Sequence, residues 1–301
     1  MTEASIRRLL RSQHLFPAFE LGIVPGHPPV ADINDSYVNH TIQRMESRLT
    51  QLELWGLLNQ SYVYAFDEAP VEYKPAVRRL FRAIKSRWPV VKTLAVLNWD
   101  PTTVVDAVDI WVVLYPWLNQ PQLAKAKEVF QDHGKQVWGY HCCAPVQSAY
   151  LNSFIDVHPM KSRLIPWLAA QQQLSGWLYW YTNWGFRHSD SSTDLATGLN
   201  VPLGALNDTI GSMQYTPRAD FRTNEDGNLL YAGEAGPLSS QRLELLRMGF
   251  EDRALLSMLP TSQSVAAATR LVRTATNYTF NHTLLEQTRR DVAWSIGTRQ
   301  C

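Results

Sequence analysis

The chain has 301 residues, 45% of them apolar and 18% charged, with a net charge of +1. That length is close to one α/β barrel, and the composition is that of a globular protein able to bury a sizeable core. The charge balance offers no basic excess or stripe for nucleic acid, and the absence of a run of about 18 apolar residues predicts no membrane span.

The N-terminus, MTEASIRRLLRSQHLF, has basic residues but no apolar h-region and reads as a helix rather than a signal peptide. Phe16 to Val24 is a first apolar segment, followed by the loop Pro25-Gly26-His27-Pro28-Pro29. Ile42, Met45, Leu49, Leu52 and Leu57 recur at intervals of three to five residues, which predicts a helix over Tyr37 to Leu58. Ser61 to Phe66 is a β-rich run that ends in Asp67-Glu68-Ala69-Pro70, where proline stops the strand. Tyr73 to Ser86 reads as a helix with a basic outer face.

The alternation continues with a strand at Lys92 to Leu97, ending in Asn98-Trp99-Asp100-Pro101, and another at Asp109 to Leu114, ending in Tyr115-Pro116. A helix over Gln120 to His133 is closed by Gly134. Gln136 to His141 is a strand, Ser162 to Leu174 a helix followed by Gly176, and Trp177 to Tyr181 a strand. Residues 183 to 240 are polar, glycine-rich and irregular in pattern, and two helical stretches, about 240 to 259 and 262 to 294, close the chain. Strands joined by helical crossovers imply a parallel α/β fold. Six strands suit a doubly wound sheet and a closed barrel needs eight, so the alternation by itself gives α/β and no more.

Three cysteines, Cys142, Cys143 and Cys301, make no disulfide framework. The adjacent pair lacks zinc-ligand spacing and reads as small residues near a buried strand end, with a vicinal disulfide as the rarer alternative. His27, His141, His158 and His188 show no ligand spacing either, so neither a metal nor another cofactor is expected. Glycosylation triplets at Asn34, Asn39, Asn59, Asn207, Asn277 and Asn281 hint at a secreted or lysosomal setting.

Polar residues gather at the C-terminal ends of the predicted strands: Asp67-Glu68, Asn98-Trp99-Asp100, His141 and Asn183-Trp184. In parallel α/β folds that edge carries the active site. Two adjacent acids after an apolar run can simply mark a solvated strand end. As catalysts they are unusual, because glycosidase carboxylates ordinarily flank the scissile bond about 5 Å or more apart, and strand neighbours point to opposite faces. Adjacent acids better suit the substrate-assisted exception, in which the sugar's own 2-acetamido oxygen attacks the anomeric carbon. A conventional pair of Glu68 with a distant acid, Asp100 or Asp156, is the other catalytic arrangement.

The stretch YVYAFDEAP (Tyr62 to Pro70) resembles the catalytic strand of glycoside hydrolase family 123, whose members are β-N-acetylgalactosaminidases. VDIWVVLYP (Val108 to Pro116), VWGYHCCAP (Val137 to Pro145), the block from Phe154 to Trp180, EDGNLLYAG (Glu225 to Gly233) and the segment from Arg242 to Leu259 resemble further family motifs in the same order. Each motif is weak alone, and six in register are strong.

The resemblance implies a (β/α)8 TIM-type barrel with the acid pair ending strand four. Asp67 would assist the acetamido group and Glu68 would be the general acid/base. It implies a retaining exo-glycosidase that removes terminal β-linked N-acetylgalactosamine, or N-acetylhexosamine, from a glycan or glycolipid. The alternative is a non-catalytic or degenerate carbohydrate-binding barrel. Trp111, Trp138, Tyr140, Trp180 and Tyr181 are candidate pocket aromatics, each with core packing as the alternative. Asp156 and Arg163 would bind sugar hydroxyls or form a structural ion pair, and Glu251-Asp252 reads as a structural or capping pair. Taking Ser61 to Phe66 as strand four leaves one strand before it. Residues 1–301 are therefore expected to be a single catalytic barrel domain holding strands three to eight, truncated at the N-terminus, without the family's N-terminal β-sandwich, and with a helical segment from about 240 to 301.

Overall fold

A computed structural model of the protein describes residues 19–23, 28–180, 182, 229–231 and 237–298. Six strands, β1 (Phe19–Ile23), β2 (Ser61–Asp67), β3 (Lys92–Val96), β4 (Ile110–Leu114), β5 (Gln136–His141) and β6 (Gly176–Tyr179), follow chain order in one sheet. The pairs β1–β2, β2–β3 and β3–β4 are parallel. The α/β class and all six strands read from the sequence are present. The other two strands of an eight-stranded barrel are not among the described residues. The chain divides into two compact units, Met1–Val113 with Trp117–Trp138, and Leu114–Pro116 with Gly139–Cys301.

In the first unit, α1 (Asp35–Leu54) starts where the Asn34 side chain accepts the Tyr37 N–H at 3.1 Å. It stops short of the predicted Leu58 because Gly56, at φ +70°, turns the chain in a conformation that disfavours side chains. α2 (Lys74–Arg87) carries proline in its first turn and buries Ala76, Val77, Leu80, Phe81 and Ile84, one helical face. Its opposite face is the expected basic one: Arg82 Nε donates to Asp106 at 2.7 Å. α3 (Pro121–Asp132) ends before Gly134 at φ +66°.

At the start of β4, Asp109 pairs with Lys85 at 2.5 Å and Lys135 at 2.6 Å, and it accepts the Thr93 N–H at 3.1 Å. Burial pushes the Asp109 carboxyl up, but hydrogen bonds to Lys135 and Lys85 and their charge outweigh burial and hold it below the usual carboxylate range. A carboxyl whose pKa is lowered by folding adds stability above its unfolded value of about 3.9, and this is lost as pH falls through the folded value. Urea midpoints measured from pH 6 down to pH 3 should therefore fall less steeply for Asp109→Asn than for the parent. Identical acid limbs would contradict the assignment.

The second unit is built around α4 (Met160–Gln171), buried from Lys161 through Ala169. It lies so close to α5 (Gln241–Ser257) that a Cβ on Gly249 would sit 2.5 Å from the Arg163 carbonyl oxygen, so only glycine fits there. Tyr115, Leu164, Trp167, Leu246, Leu256 and Leu285 contribute to the surrounding core.

Two expectations change here. The stretch 262–294 is not one helix: α6 (Thr261–Thr269) gives way to an antiparallel hairpin before α7 (His282–Gly297). In the numbering from β1, the hairpin strands are β9 (Val272–Thr274) and β10 (Asn277–Tyr278). The β-branched Val272 and Thr274 explain the break, and Thr274 Oγ1 holds the turn by accepting the N–H groups of Thr276 and Asn277 at 3.3 and 3.0 Å. The region 183–240, read as irregular, lies largely outside the described residues but ends in an antiparallel pair, β7 (Leu230–Tyr231) and β8 (Leu238–Ser239). Among the described residues no helix is long and apolar enough to cross a membrane.

Candidate active site

The acid pair sits at the C-terminal end of β2, where the strand is irregular. Pairing with β3 steps from Tyr64 opposite Leu94 to Asp67 opposite Val96, three residues against two, which is a β-bulge. Phe66 has φ +61° and Glu68 has φ +51°, left-handed conformations that cost a side-chain-bearing residue about 1 kcal/mol or more each. Phe66 is held there by burial, edge-on to Phe81 at 5.5 Å and Tyr73 at 6.5 Å.

The bulge has a direct chemical result. On an unbroken strand, residues three apart face opposite ways. Here Asp67 comes round to the face of Tyr64, whose hydroxyl donates to Asp67 Oδ1 at 2.6 Å. Glu68 lies one residue beyond the end of β2, at φ +51°, so strand alternation does not extend to it. Both acids are exposed to solvent. The next residue, Ala69, is buried, and its carbonyl accepts the Trp99 indole N–H at 2.7 Å, which pins the loop leaving the acids. Lys74 Nζ stands 5.1 Å from the centre of the Trp99 ring. Asp100 shapes the turn after β3 by accepting the Thr102 N–H at 3.0 Å.

A hydrogen bond to a charged group contributes about 1.5–3 kcal/mol, and a solvent-exposed carboxylate belongs at or below the low end. With Asp67 taking part in turnover, Tyr64→Phe should lower kcat/KM by about tenfold, and the urea midpoint should fall by no more than the contribution of that one bond. An unaltered kcat/KM would mean that Tyr64 does not position Asp67.

Of the aromatics, Trp138 is half-buried and meets Tyr62 edge-on at 5.9 Å, while its indole N–H donates to Gln136 Oε1 at 3.1 Å. Tyr62 and Tyr64 are two apart on β2 and share a face, so the Tyr62–Trp138 contact lies on the face of β2 that carries the Tyr64–Asp67 bond, nearer the start of the strand. Trp111 is placed differently. It is 0% exposed, packs on Phe130 of α3 at 5.4 Å and donates its indole N–H to the Leu97 carbonyl at 2.8 Å, so it is a core residue with no open ring face.

In the second unit, Tyr140 is buried in β5, Trp180 is 39% exposed just after β6, and Tyr181 lies outside the described residues. Asp156 is exposed and lines a cavity of about 290 Å3 with Val146, Ser148, Phe154 and Val157. Arg163 is 2% exposed and its guanidinium meets Asp252 at 3.0 Å and Glu286 at 3.4 Å, a structural ion pair made with these acids and not the expected one with Asp156.

His141 ends β5 in a buried polar network. The Trp177 indole N–H donates to His141 Nδ1 at 2.8 Å, so Nδ1 is an acceptor and the proton resides on Nε2, 3.1 Å from Ser153 Oγ. Tyr179 stacks on the imidazole at 4.4 Å. Burial pushes the His141 pKa down to about 3, so the ring is neutral at working pH.

A family model described as glycoside hydrolase 123, catalytic domain, matches residues 26–259. The chain belongs to glycoside hydrolase family 123. A solved family 123 glycoside hydrolase from Clostridium perfringens, studied for glycolipid glycan hydrolysis, is similar in fold, with a TM-score of 0.57 at 17% identity. That likeness covers 88% of this chain and 45% of the Clostridium one, so this chain spans less than half of that protein's length. No curated protein matches the chain.

In this family 123 chain, the acids and Trp138 stand out from sequence, whereas the residues that hydrogen-bond at the end of β2 do not. Tyr64 carries no sequence signal for its bond to Asp67, since the bulge that brings Asp67 to it is a tertiary feature. Trp99 and His141 are visible only as polar strand-end residues. Among the described residues, no group of three or more His, Cys, Asp or Glu is arranged to hold a metal ion.

Proposed function

We propose that the chain is the catalytic part of a retaining exo-glycosidase that removes terminal β-linked N-acetylgalactosamine, or N-acetylhexosamine, from a glycan or glycolipid. Its six strands are read as strands three to eight of a (β/α)8 barrel. The observation that carries the proposal is the bulged end of β2, which presents Asp67, fixed by Tyr64 at 2.6 Å, beside Glu68. Family membership and the adjacency of the acids support the substrate-assisted course.

In that course Asp67 accepts the N–H of the 2-acetamido group and turns its carbonyl oxygen toward the anomeric carbon. The carbonyl oxygen attacks from below while the Glu68 carboxyl gives its proton to the departing glycosidic oxygen. An oxazolinium ion forms, its positive charge opposite the Asp67 carboxylate. The Glu68 carboxylate then takes a proton from water as that water attacks the same carbon. Two inversions leave the β configuration unchanged. Trp138 and Tyr62 offer aromatic surface on the Asp67 side of the first unit for the C–H face of the sugar.

Proton NMR of early turnover on an aryl N-acetyl-β-galactosaminide tests this reading. The β anomer should appear first and then mutarotate, and first appearance of the α anomer would replace the proposal with an inverting mechanism. The N-acetyl-β-glucosaminide, run alongside, reads the sugar preference.

A further inference from the structure

The loop that follows β5 places two thiols side by side. In an extended segment the side chains of neighbouring residues diverge. Here the chain turns immediately after His141, and the Cys142 N–H closes the turn by donating to the Ala144 carbonyl at 3.0 Å. The sulfurs of Cys142 and Cys143 come within 3.8 Å of each other. Cys143 is exposed and Cys142 half-buried.

The peptide joining the two cysteines is itself clamped. Its carbonyl, that of Cys142, accepts from Asn152 Nδ2 at 3.1 Å, and the same amide group donates to the Pro145 carbonyl at 3.1 Å. Asn152 is 2% exposed, and its Oδ1 accepts the Ser153 N–H at 2.6 Å. A buried side chain thus fixes the peptide plane around which an eight-membered disulfide ring would close. Closure needs the sulfurs to approach from 3.8 Å to the bonded distance of about 2.05 Å.

We propose that Cys142 and Cys143 are a redox-active dithiol, the site of a vicinal disulfide formed by exchange with a low-molecular-weight disulfide. The Cys143 thiolate, the more accessible of the two, attacks one sulfur of glutathione disulfide and expels a glutathione thiolate. The Cys142 thiolate then attacks Cys143 Sγ, forms the Cys142–Cys143 bond and expels the second glutathione. Two protein thiols are oxidised, one glutathione disulfide is reduced to two glutathiones, and the two thiol protons end on those glutathiones. This site is independent of the glycosidase reading, so either can fail without the other.

The test uses the full chain carrying Cys301→Ser, which leaves only these two thiols, equilibrated in glutathione buffers from reducing to oxidising and then trapped with an alkylating agent. Mass spectrometry should show both thiols lost in one step, the peptide containing them lighter by two hydrogens and no glutathione retained. Adding Cys143→Ser should abolish that species and leave a single glutathione adduct at most. Stable glutathione adducts on both cysteines, disulfides between chains, or two alkylatable thiols persisting in the most oxidising buffer would each overturn the proposal.

Discussion

Glu68→Gln is expected to lower kcat/KM on a natural glycan by about 10²–10⁴-fold, the range general acid–base catalysis supplies. The amide keeps the shape of the side chain but can neither protonate the departing oxygen nor deprotonate water, so both halves of the reaction suffer. The loss should shrink on aryl glycosides with acidic phenols, because those leaving groups need little protonation. Asp67→Asn should cost a similar amount with a different signature. In the proposed course it removes the negative charge facing the oxazolinium ion, a charge needed whatever the leaving group, so the defect should persist on activated aryl substrates. In both variants the fall should be in kcat more than in KM, because the missing interactions belong to the transition state. Either variant staying within a few-fold of the parent on the natural glycan would remove that residue from the mechanism.

The second large effect is on stability. The Asp252 side chain is 0% exposed and meets Arg163 Nε at 3.0 Å and Arg289 Nε at 2.5 Å, and it accepts the Trp167 indole N–H at 3.0 Å. Removing one partner of a buried ion pair is costly because the other charge is left without compensation, at about 3–5 kcal/mol. Asp252→Asn leaves the Arg163 guanidinium, 2% exposed, with only the longer Glu286 contact of 3.4 Å among its described carboxylates. Urea unfolding should show a loss of this size. The adjacent Glu251 supplies the control: it is paired with Arg247 at the solvent-exposed surface, and such pairs contribute about 0–1 kcal/mol. Equal effects for Asp252→Asn and Glu251→Ala would contradict the buried cluster as a source of stability.

The contrast between these two neighbours shows what a sequence can and cannot carry. Glu251-Asp252 reads correctly as a structural pair, but nothing local distinguishes the surface acid from the buried one. The partner that decides it, Arg163, lies 89 residues earlier on α4. The strands were legible because runs such as Val-Val-Leu in β4 are apolar on both faces and stop at polar clusters. The same property hid the fate of Trp111: a strand buried on both sides has no alternation to say which face meets the helices, and Trp111 meets α3. Across 262–294 the apolar spacing on either side of the hairpin suits a helix, and the short strands Val272–Thr274 and Asn277–Tyr278 are too brief to announce themselves.

At the site, the residues that do the proposed chemistry were readable and their placement was not. A phenylalanine at φ +61° runs against local preference, so the bulge at Phe66 is imposed by packing on Phe81 and Tyr73. Local rules failing at a strand end that bears the candidate catalytic acids is the pattern expected of a functional site. Two of the glycosylation triplets have a local structural reason: Asn34 and Asn281 are helix N-caps, accepting from Tyr37 and Leu284 at 3.1 and 2.9 Å.

In the proposed course the substrate's acetamido group, oriented by Asp67, is the nucleophile. The most direct test compares two aryl β-galactosides that differ only at C2, one with acetamido and one with hydroxyl. Turnover of the acetamido sugar should exceed that of the hydroxyl sugar by orders of magnitude, since the latter has no nucleophile to offer. Comparable rates on both would mean that the protein supplies its own nucleophile, and the roles assigned to Asp67 and Glu68 would fall together.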